Sequence, residues 1–453
     1  MRRYNHGRLS AGVIGAGYYG TGIVSRATFM PDLDVVIVAD VDIEAAIQSF
    51  CRAGHERETV VICGSSPEVQ KNIGRGNPVV VEDASLLLGS SVDVVVESSG
   101  DAVAGAAHAH EAILNGKHIV MVTKETDVTV GPYLHFLAGK NNVRYRQAAG
   151  DQHGLLIELV SWARDLGFSI VCAGKSRDSD LVLDDAAGVV SQNGVIRARG
   201  GLDCFAVIGP SSAAAQVGGR AELLGPWVKP GGWDQVELAV AANCLGLGID
   251  KPETHCPPVR TSEISRVMCT RADGGLLSKD NTVDMVTVIR HPDEMPWRGG
   301  VFIVVKCQDE CSASILKANG LVTGDNGCAL LYRPFHLLGV ETGSSILDTT
   351  RMPQDYCADV RPRYDVCARA RMDLKQGYNL RDDHNEDLEF LILPSRTLTD
   401  DGPVPFHLAA NLPLKHHVST GSMILLSMVD AAKKGELLRL RMLQDEHFRA
   451  CRS

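Results

Sequence analysis

The chain has 453 residues, enough for two or three domains, and 45% of them are apolar, so large buried cores are expected. Its formal net charge is −10 at pH 7, which argues against a basic surface of the kind that binds nucleic acid. No run of about twenty apolar residues occurs, so we expect no membrane contact.

The cysteines and the first residues both indicate a cytoplasmic protein. The 13 cysteines are scattered and include no Cys-x-x-Cys pair, a pattern typical of free thiols in a reducing compartment. The polar start, Met1 to His6, has no long apolar run, so a secretory signal is not expected.

A glycine-rich turn near the start is the most specific motif, and it reads Gly15-Ala16-Gly17-Tyr18-Tyr19-Gly20. It lies between an apolar run (11–14) and a segment with helical spacing, where bare backbone and a helix start suit a pyrophosphate. A second apolar run ends in Asp40, 20 residues after Gly20, where a carboxylate would bind the ribose of a dinucleotide. We therefore predict that residues 15–20 and Asp40 bind a nicotinamide dinucleotide.

Short apolar runs alternate with helical segments over the first 150 residues, which predicts a Rossmann-type, doubly wound parallel α/β sheet. The predicted strands are 11–14, 35–39, 59–63, 92–96, 118–122 and 143–147, and the predicted helices are 43–52, 103–114 and 132–141, with a loop or short helix at 67–77. Ligands bind at the carboxyl ends of such strands. We therefore expect four more residues at the cofactor: Ser98, Ser99, Gly100 and Thr123.

The rest of the chain predicts a second α/β (α+β) catalytic domain and a small β-rich C-terminal domain. Predicted helices are 155–166, 234–246 with Asp234 as N-cap, 333–345 and 434–452; predicted strands are 169–173, 301–305 and 329–332; 352–363 is a candidate linker. The segments 365–379 and 410–425 look like two copies of one β element. We predict domains at 1–150 (dinucleotide), 151–350 (catalytic) and 351–453.

Two lysines at predicted strand ends are the candidate catalytic residues, Lys124 and Lys175. Reduction of a carbonyl forms an alkoxide, which needs a proton donor and a positive neighbour, and burial would lower the pKa of such a lysine towards neutrality. Asp151 could orient either lysine or bind a substrate hydroxyl. The alternative for all three is a solvated surface charge.

Four further side chains are candidates for substrate binding: Gln152, His153, Arg333 and His336. The last two begin a predicted helix and could hold an anionic substrate, or simply pack there, and His153 could instead lie on the surface. A reaction that includes a rearrangement would need a divalent metal. No compact carboxylate cluster requires a metal, so we assign no metal ligands.

Several motifs resemble known families, and together they cover nearly the whole chain. Residues 15–20, 94–101, 116–118 and 131–132 resemble the nucleotide-binding half of homoserine-dehydrogenase-like oxidoreductases. Residues 150–152, 173–175 and 331–337 resemble the deoxyxylulose-5-phosphate (DXP) reductoisomerase-like (DRL) enzymes. That group carries a C-terminal antifreeze-like (SAF) domain, which the repeated β element between 365 and 425 resembles.

The resemblance implies an NAD(P)-dependent dehydrogenase or reductase acting on a small polyhydroxylated or phosphorylated carbonyl compound, by reduction alone or coupled to a DXP-reductoisomerase-like rearrangement. Asp40 favours NAD because it repels a 2′-phosphate, whereas the resembling reductoisomerase-like enzymes use NADPH. The alternatives are a homoserine- or hydroxy-acid-type dehydrogenase and a non-catalytic dinucleotide-sensing protein. We expect a homo-oligomer that binds a small-molecule substrate.

Overall fold

The computed structural model describes residues 8–209, 213–321, 327–351, 357 and 359–450. The first part of the chain alternates strands and helices: β1 Leu9–Ile14, α1 Tyr18–Ala27, β2 Leu33–Ala39, α2 Ile43–Arg52, β3 Val61–Ile62, α3 Ser66–Gly74, β4 Val79–Val81, α4 Ala84–Leu88, β5 Val94–Glu97, α5 Ala102–Leu114, β6 His118–Met121, α6 Lys124–Lys140 and β7 Tyr145–Gln147.

These seven strands form one parallel sheet in the order β3-β4-β2-β1-β5-β6-β7. The central strands are buried on both faces, as expected for a parallel sheet covered by helices. The chain runs from β1 to β2 on one side and returns to β5 on the other. The loops after β1 and β5 therefore diverge, which leaves the crevice where such folds bind dinucleotides.

The middle of the chain builds a second, mixed sheet. Its elements are α7 Gln152–Asp165, β8 Ser169–Ser176, β9 Leu181–Asp184, β10 Val189–Gln192, β11 Val195–Arg199, α8 Ala213–Leu224, α9 Gly232–Leu245, β12 Gly248–Ile249, β13 Pro258–Val259, α10 Ile264–Val267, β14 Thr282–Arg290, β15 Val301–Lys306, α11 Glu310–Ala318, β16 Cys328–Arg333 and α12 Thr342–Arg351. The strand order is β11-β10-β9-β14-β8-β15-β16, and β12 and β13 also pair with β14. Helices α7 and α9 pack against the central strands of this sheet.

The C-terminal module (residues 359–450) packs against both sheets' helices. It contains β17 Tyr364–Ala370, β18 Leu388–Pro394 and α13 Gly435–Ala450. The antiparallel pair β17–β18 contacts α9, while α13 contacts α5 and α6 of the first sheet. The module is thus tied to both halves of the molecule.

The predicted α/β fold class, with a Rossmann-type parallel sheet followed by a second sheet, is confirmed. The helix expected at 43–52 is α2 with the same bounds, and most of 67–77 lies in the helix α3, Ser66–Gly74. No helix begins at Arg333: this residue ends β16, and α12 starts only at Thr342. The strand expected at 59–63 is reduced to Val61–Ile62, because 57–59 forms a 3₁₀ turn.

Two other differences have clear physical causes. Helix α6 begins at Lys124, eight residues before the predicted start at Pro132, because packing holds a proline inside the helix despite its usual cost of about 3 kcal/mol. The segments 365–379 and 410–425, predicted as two copies of one β element, pair with each other at Arg369–Met423 and Leu374–Val418, and only the first contains most of a named strand, β17. Of the predicted linker, residues 352–356 and 358 lie outside the described residues.

A fully buried arginine attaches α13 to β17. The Arg441 guanidinium donates to both carboxylate oxygens of Asp365 at 2.6 and 2.8 Å, and to Asp445 at 2.9 Å. Since the Arg441 side chain is 0% exposed, removing it would leave a buried carboxylate without its charge partner.

We predict that Arg441→Ala lowers the free energy of unfolding by about 3 kcal/mol, measured by thermal or urea unfolding. The control is Arg439→Ala, two residues away, which breaks the partly exposed pair with Glu436 and a 3.4 Å contact with His110 and should cost less than ~1 kcal/mol. Equal effects of the two substitutions would contradict the structural role given to Arg441.

Candidate active site

In the glycine turn after β1, a side chain would have room at the middle glycine but not at the first or the last. A Cβ added at Gly15, whose φ is +95°, would lie 2.4 Å from the Ser98 carbonyl oxygen, and one at Gly20 would lie 1.9 Å from the Gly15 oxygen. A Cβ at Gly17 would meet no heavy atom within 4 Å. No side chain caps the start of α1 at this position. The open backbone and the positive end of the helix therefore suit a diphosphate.

Asp40 lies directly against this turn. Its Oδ2 accepts a hydrogen bond of 2.6 Å from the Ala16 backbone N–H, and its Oδ1 accepts one of 2.8 Å from that of Asp42. The carboxylate thus supports the turn as well as placing a negative charge beside it.

The two tyrosines of the turn behave differently. Tyr18 is 82% exposed. The Tyr19 hydroxyl instead donates to the Ala149 carbonyl at 3.1 Å and accepts from Thr342 Oγ1 at 3.0 Å. Burial, and then the charge of Asp151, raises the pKa of Tyr19. Its side chain therefore connects the turn to the segment that precedes the second sheet.

The residues predicted at the ends of β5 and β6 lie together beside the turn. Ser98 Oγ donates to the Ile14 carbonyl at 2.7 Å, and the Gly100 backbone N–H donates to Thr123 Oγ1 at 3.1 Å. The Ser99 backbone N–H donates to Glu97 at 3.2 Å. Through Ser98, which also contacts the Gly15 carbonyl, they lie beside the glycine turn.

The structure brings the two candidate lysines together on one carboxylate. Lys124 is the first residue of α6 and Lys175 lies within β8, so neither ends a strand as predicted. Glu237, on α9, accepts from Lys124 Nζ at Oε1 and from Lys175 Nζ at Oε2. Lys175 Nζ also lies 2.8 Å from Asp234 Oδ1, and Lys124 Nζ lies 4.0 Å from Asp151 Oδ2.

These carboxylates reverse the pKa shift expected from burial alone. Burial lowers the pKa of Lys124, but the charges of Glu237 and Asp151 outweigh it and raise the pKa well above its usual value. The pKa of Lys175 is likewise raised, because Asp234 and Glu237 outweigh burial. The expectation of a near-neutral lysine was therefore wrong, since it omitted the carboxylates. Both side chains are ammonium ions at neutral pH.

Asp151 is the N-cap of α7 and accepts a 2.8 Å hydrogen bond from the Gln152 backbone N–H. Burial raises the pKa of Asp151, but the charges of Lys124 and His153 outweigh burial and leave it below its usual range. His153 Nδ1 lies 3.8 Å from Asp151 Oδ2, and its ring is buried at 1% exposure rather than on the surface. Gln152 Nε2 donates to the Ser176 carbonyl at 2.9 Å.

Sequence reasoning missed Glu237 and misplaced Asp234. The N-cap of α9 is Gly231, and Asp234 stands three residues further on, where Oδ2 accepts from the Gly231 backbone N–H at 2.8 Å. Asp234 and Glu237 are three residues apart and so share one helix face. Two acidic residues within a helix that is otherwise largely apolar were the signal that could have found them.

Arg333 and His336 contact their own surroundings in the loop between β16 and α12. Arg333 pairs with Glu341, and His336 Nδ1 lies 2.8 Å from the Gly299 carbonyl oxygen. The described contacts of both side chains thus stabilise this loop. The loop packs against α1 where Gly339 meets Gly22.

No group of three or more His, Cys, Asp or Glu side chains among the described residues is arranged to hold a metal ion. In the same part of the chain, no helix has both the length and the apolar character needed to cross a membrane.

The fold, its glycine turn and the family match that follows give the class of the protein, an α/β oxidoreductase. Residues 150–342 match the protein family described as oxidoreductase DRL, catalytic domain. This match includes Asp151, Lys175, Asp234 and Glu237, and it confirms the predicted enzyme class. No curated protein matches the chain.

Several solved structures resemble the chain. GenD2 from gentamicin A biosynthesis, in complex with NAD, is 12% identical with a TM-score of 0.37, over 79% of this chain and 92% of that one. Myo-inositol dehydrogenase from Lactobacillus casei, with NAD(H) and myo-inositol, is 14% identical with a TM-score of 0.33, over 65% and 71%. Myo-inositol dehydrogenase from Corynebacterium glutamicum is 11% identical with a TM-score of 0.35, over 72% and 75%. Likeness at this level carries no inference about substrate or cofactor.

The residue after Lys124 gives a test of the electrostatics at this end of α6. Burial raises the pKa of Glu125 from 4.5 to about 7. The neutral Glu125 side chain therefore makes its full contribution to the stability of the folded protein below pH 4.5. This contribution is lost as the pH rises through 7.

We predict that Glu125→Gln stabilises the protein by about 2 kcal/mol more at pH 8 than at pH 5, measured by thermal unfolding at both values. Glu111→Gln, at an exposed position on α5, should show no such difference. A Glu125→Gln effect that is the same at both pH values would contradict the raised pKa.

Proposed function

We propose that the chain is an NAD(P)-dependent oxidoreductase that interconverts a hydroxyl and a carbonyl group on a small polyhydroxylated compound. The observation that carries this proposal is the pair of buried lysines held on Glu237, close to the crevice at the ends of β1, β5 and β6. A fixed ammonium group at this position suits a substrate oxygen that becomes negative during the reaction.

The residues of the crevice fit a nicotinamide dinucleotide. The open backbone at Gly17 and the start of α1 would hold the diphosphate, Asp40 the adenosine ribose, and Ser98 to Gly100 with Thr123 the other half. When bound, the dinucleotide accepts or supplies the hydride. We propose NAD rather than NADP, because the Asp40 carboxylate repels a 2′-phosphate.

Exposure decides which lysine meets the substrate. The side chain of Lys124 is 17% exposed, whereas that of Lys175 is 2% exposed. We propose that Lys124 Nζ binds the reacting oxygen, stabilises its negative charge and gives it a proton in the direction of reduction. Lys175 is a positioning residue, since it fixes Glu237, and Asp151 orients Lys124 from the other side.

We also propose how the chain divides into domains and what the narrower form of the reaction is. Residues 1–150 would form the dinucleotide domain, 151–350 the catalytic domain, and 351–453 a SAF-like domain whose short antiparallel pairings support the likeness. A reduction coupled to rearrangement, as in DXP-reductoisomerase-like enzymes, is a narrower form of the reaction, and it would in addition need a divalent metal. A screen of polyols, hydroxy acids and sugar phosphates for NADH formation tests the activity, and dinucleotide binding without any turnover would contradict it.

We predict that Lys124→Met lowers turnover at least 100-fold, because general acid catalysis contributes about 10²–10⁴-fold, while NADH affinity changes less than about threefold. Turnover is measured from NADH absorbance and affinity from NADH fluorescence. The control is Lys71→Met, at an exposed lysine on α3, which should change neither quantity. Equal losses of turnover and affinity in Lys124→Met would instead assign Lys124 to cofactor binding.

We predict that Asp40→Asn weakens NADH binding by about 1–2 kcal/mol and raises the NADPH-to-NADH affinity ratio at least fivefold. The ratio is the decisive measurement, because loosening of the turn through the lost Ala16 contact would weaken both dinucleotides equally. Asp42→Asn, which removes a carboxylate that caps α2, serves as the matched control. An unchanged ratio in Asp40→Asn would remove Asp40 from the ribose site.

A further inference from the structure

A polar cavity lies between the first sheet and the C-terminal module, and neither Lys124 nor Lys175 lines it. Its volume is about 220 Å³. One wall comes from the starts of α5 and α6 (Gly100, Ala102, Glu125), and the other from loops of the module (Asp383, His407). We call this cavity the module pocket.

Two buried side chains of the module pocket have polar atoms without partners. Asp383 and His407 are each 4% exposed. Within the described residues, Asp383 Oδ2 and His407 Nε2 form no hydrogen bond. A buried polar atom left without a partner costs about 1–3 kcal/mol, so two on one wall indicate that a ligand completes them.

The module pocket adjoins the proposed reaction centre. Glu125 follows Lys124 at the start of α6, and the Gly100 backbone N–H is bonded to Thr123 Oγ1 at the end of β6. Burial is the largest cause that lowers the pKa of His407, and the positive charge of Lys124 also lowers it. A molecule whose reacting oxygen lies at Lys124 could therefore extend into the module pocket.

The charges of the pocket select against an anion. Its lining includes three aspartates and a single lysine, Asp101, Asp382, Asp383 and Lys434, together with Glu125, whose pKa of about 7 leaves it partly neutral at pH 7. Like charges in a shared, partly dry site repel, so a phosphate would be disfavoured.

Hydroxyl groups fit the two atoms without partners. The Asp383 carboxylate can only accept, which suits an O–H donor. Burial lowers the pKa of His407 to about 4, so its ring is neutral near pH 7 and Nε2 can either donate or accept. The volume leaves room for a chain of a few hydroxylated carbons.

We propose that the module pocket binds the hydroxyl-bearing end of a neutral polyol or sugar, with Asp383 Oδ2 and His407 Nε2 bonded to its hydroxyl groups. This inference rests on the proposed function, in which Lys124 acts on the other end of the same molecule. The C-terminal module then determines substrate specificity and selects hydroxylated over phosphorylated compounds.

Direct binding tests the pocket without requiring turnover. The full chain with NAD is titrated with erythritol and with erythritol 4-phosphate, and binding is followed by saturation-transfer difference NMR. We expect a saturable erythritol signal, a signal at least fivefold weaker for the phosphate, and a fivefold or greater loss of erythritol binding in Asp383→Asn. Asp401→Asn, at an exposed carboxylate of the module away from the pocket, should bind erythritol as the parent protein does.

A second variant guards against misfolding of Asp383→Asn. Ala102→Leu fills the pocket from α5 without changing the module, and it should abolish the erythritol signal while leaving NADH affinity unchanged. Erythritol binding that survives both substitutions, or tighter binding of the phosphate, overturns the pocket assignment. Polyol turnover that is insensitive to both would leave the proposed oxidoreductase intact and refute only the pocket. Pocket binding without turnover of any compound would refute the oxidoreductase alone.

Discussion

The structure depends on one buried carboxylate, Glu237, which holds two lysines from different parts of the fold. Lys124 comes from the first sheet's last long helix and Lys175 from the centre of the second sheet. Two buried ammonium groups would repel each other strongly without this shared partner. The carboxylate therefore fixes the relative position of α6, β8 and α9, and at the same time keeps Lys124 charged where the crevice opens.

Hydrogen bonds connect the proposed cofactor crevice to the proposed reaction centre. Tyr19, inside the glycine turn, is bonded to Ala149, two residues before Asp151, and to Thr342, whose hydroxyl also donates to the Ala149 carbonyl. The turn is therefore hydrogen-bonded to the segment that carries Asp151, the residue that we propose orients Lys124. This connection gives the second tyrosine of the motif a structural role that its place in a dinucleotide turn did not suggest.

The C-terminal module is integrated with both sheets. Its helix α13 lies on α5 and α6 and is fixed to β17 through Arg441, and its loops reach the starts of the same two helices. Gly100 and Glu125 lie at those helix starts, so the module lies against the end of the first sheet at which we propose that the cofactor binds.

The sequence by itself determined the parallel sheet, the glycine turn and the candidates Asp40, Lys124, Asp151 and Lys175, because these depend on local patterns of apolar runs, bare backbone and strand ends. Only the tertiary structure decided that Glu237 joins the lysines, that their pKa values rise, and that the module closes a pocket beside them. Each of these follows from contacts between residues far apart in the chain, such as the pair Lys124 and Glu237, 113 positions apart. Charge and desolvation act through space, and periodicity along the sequence does not contain those distances.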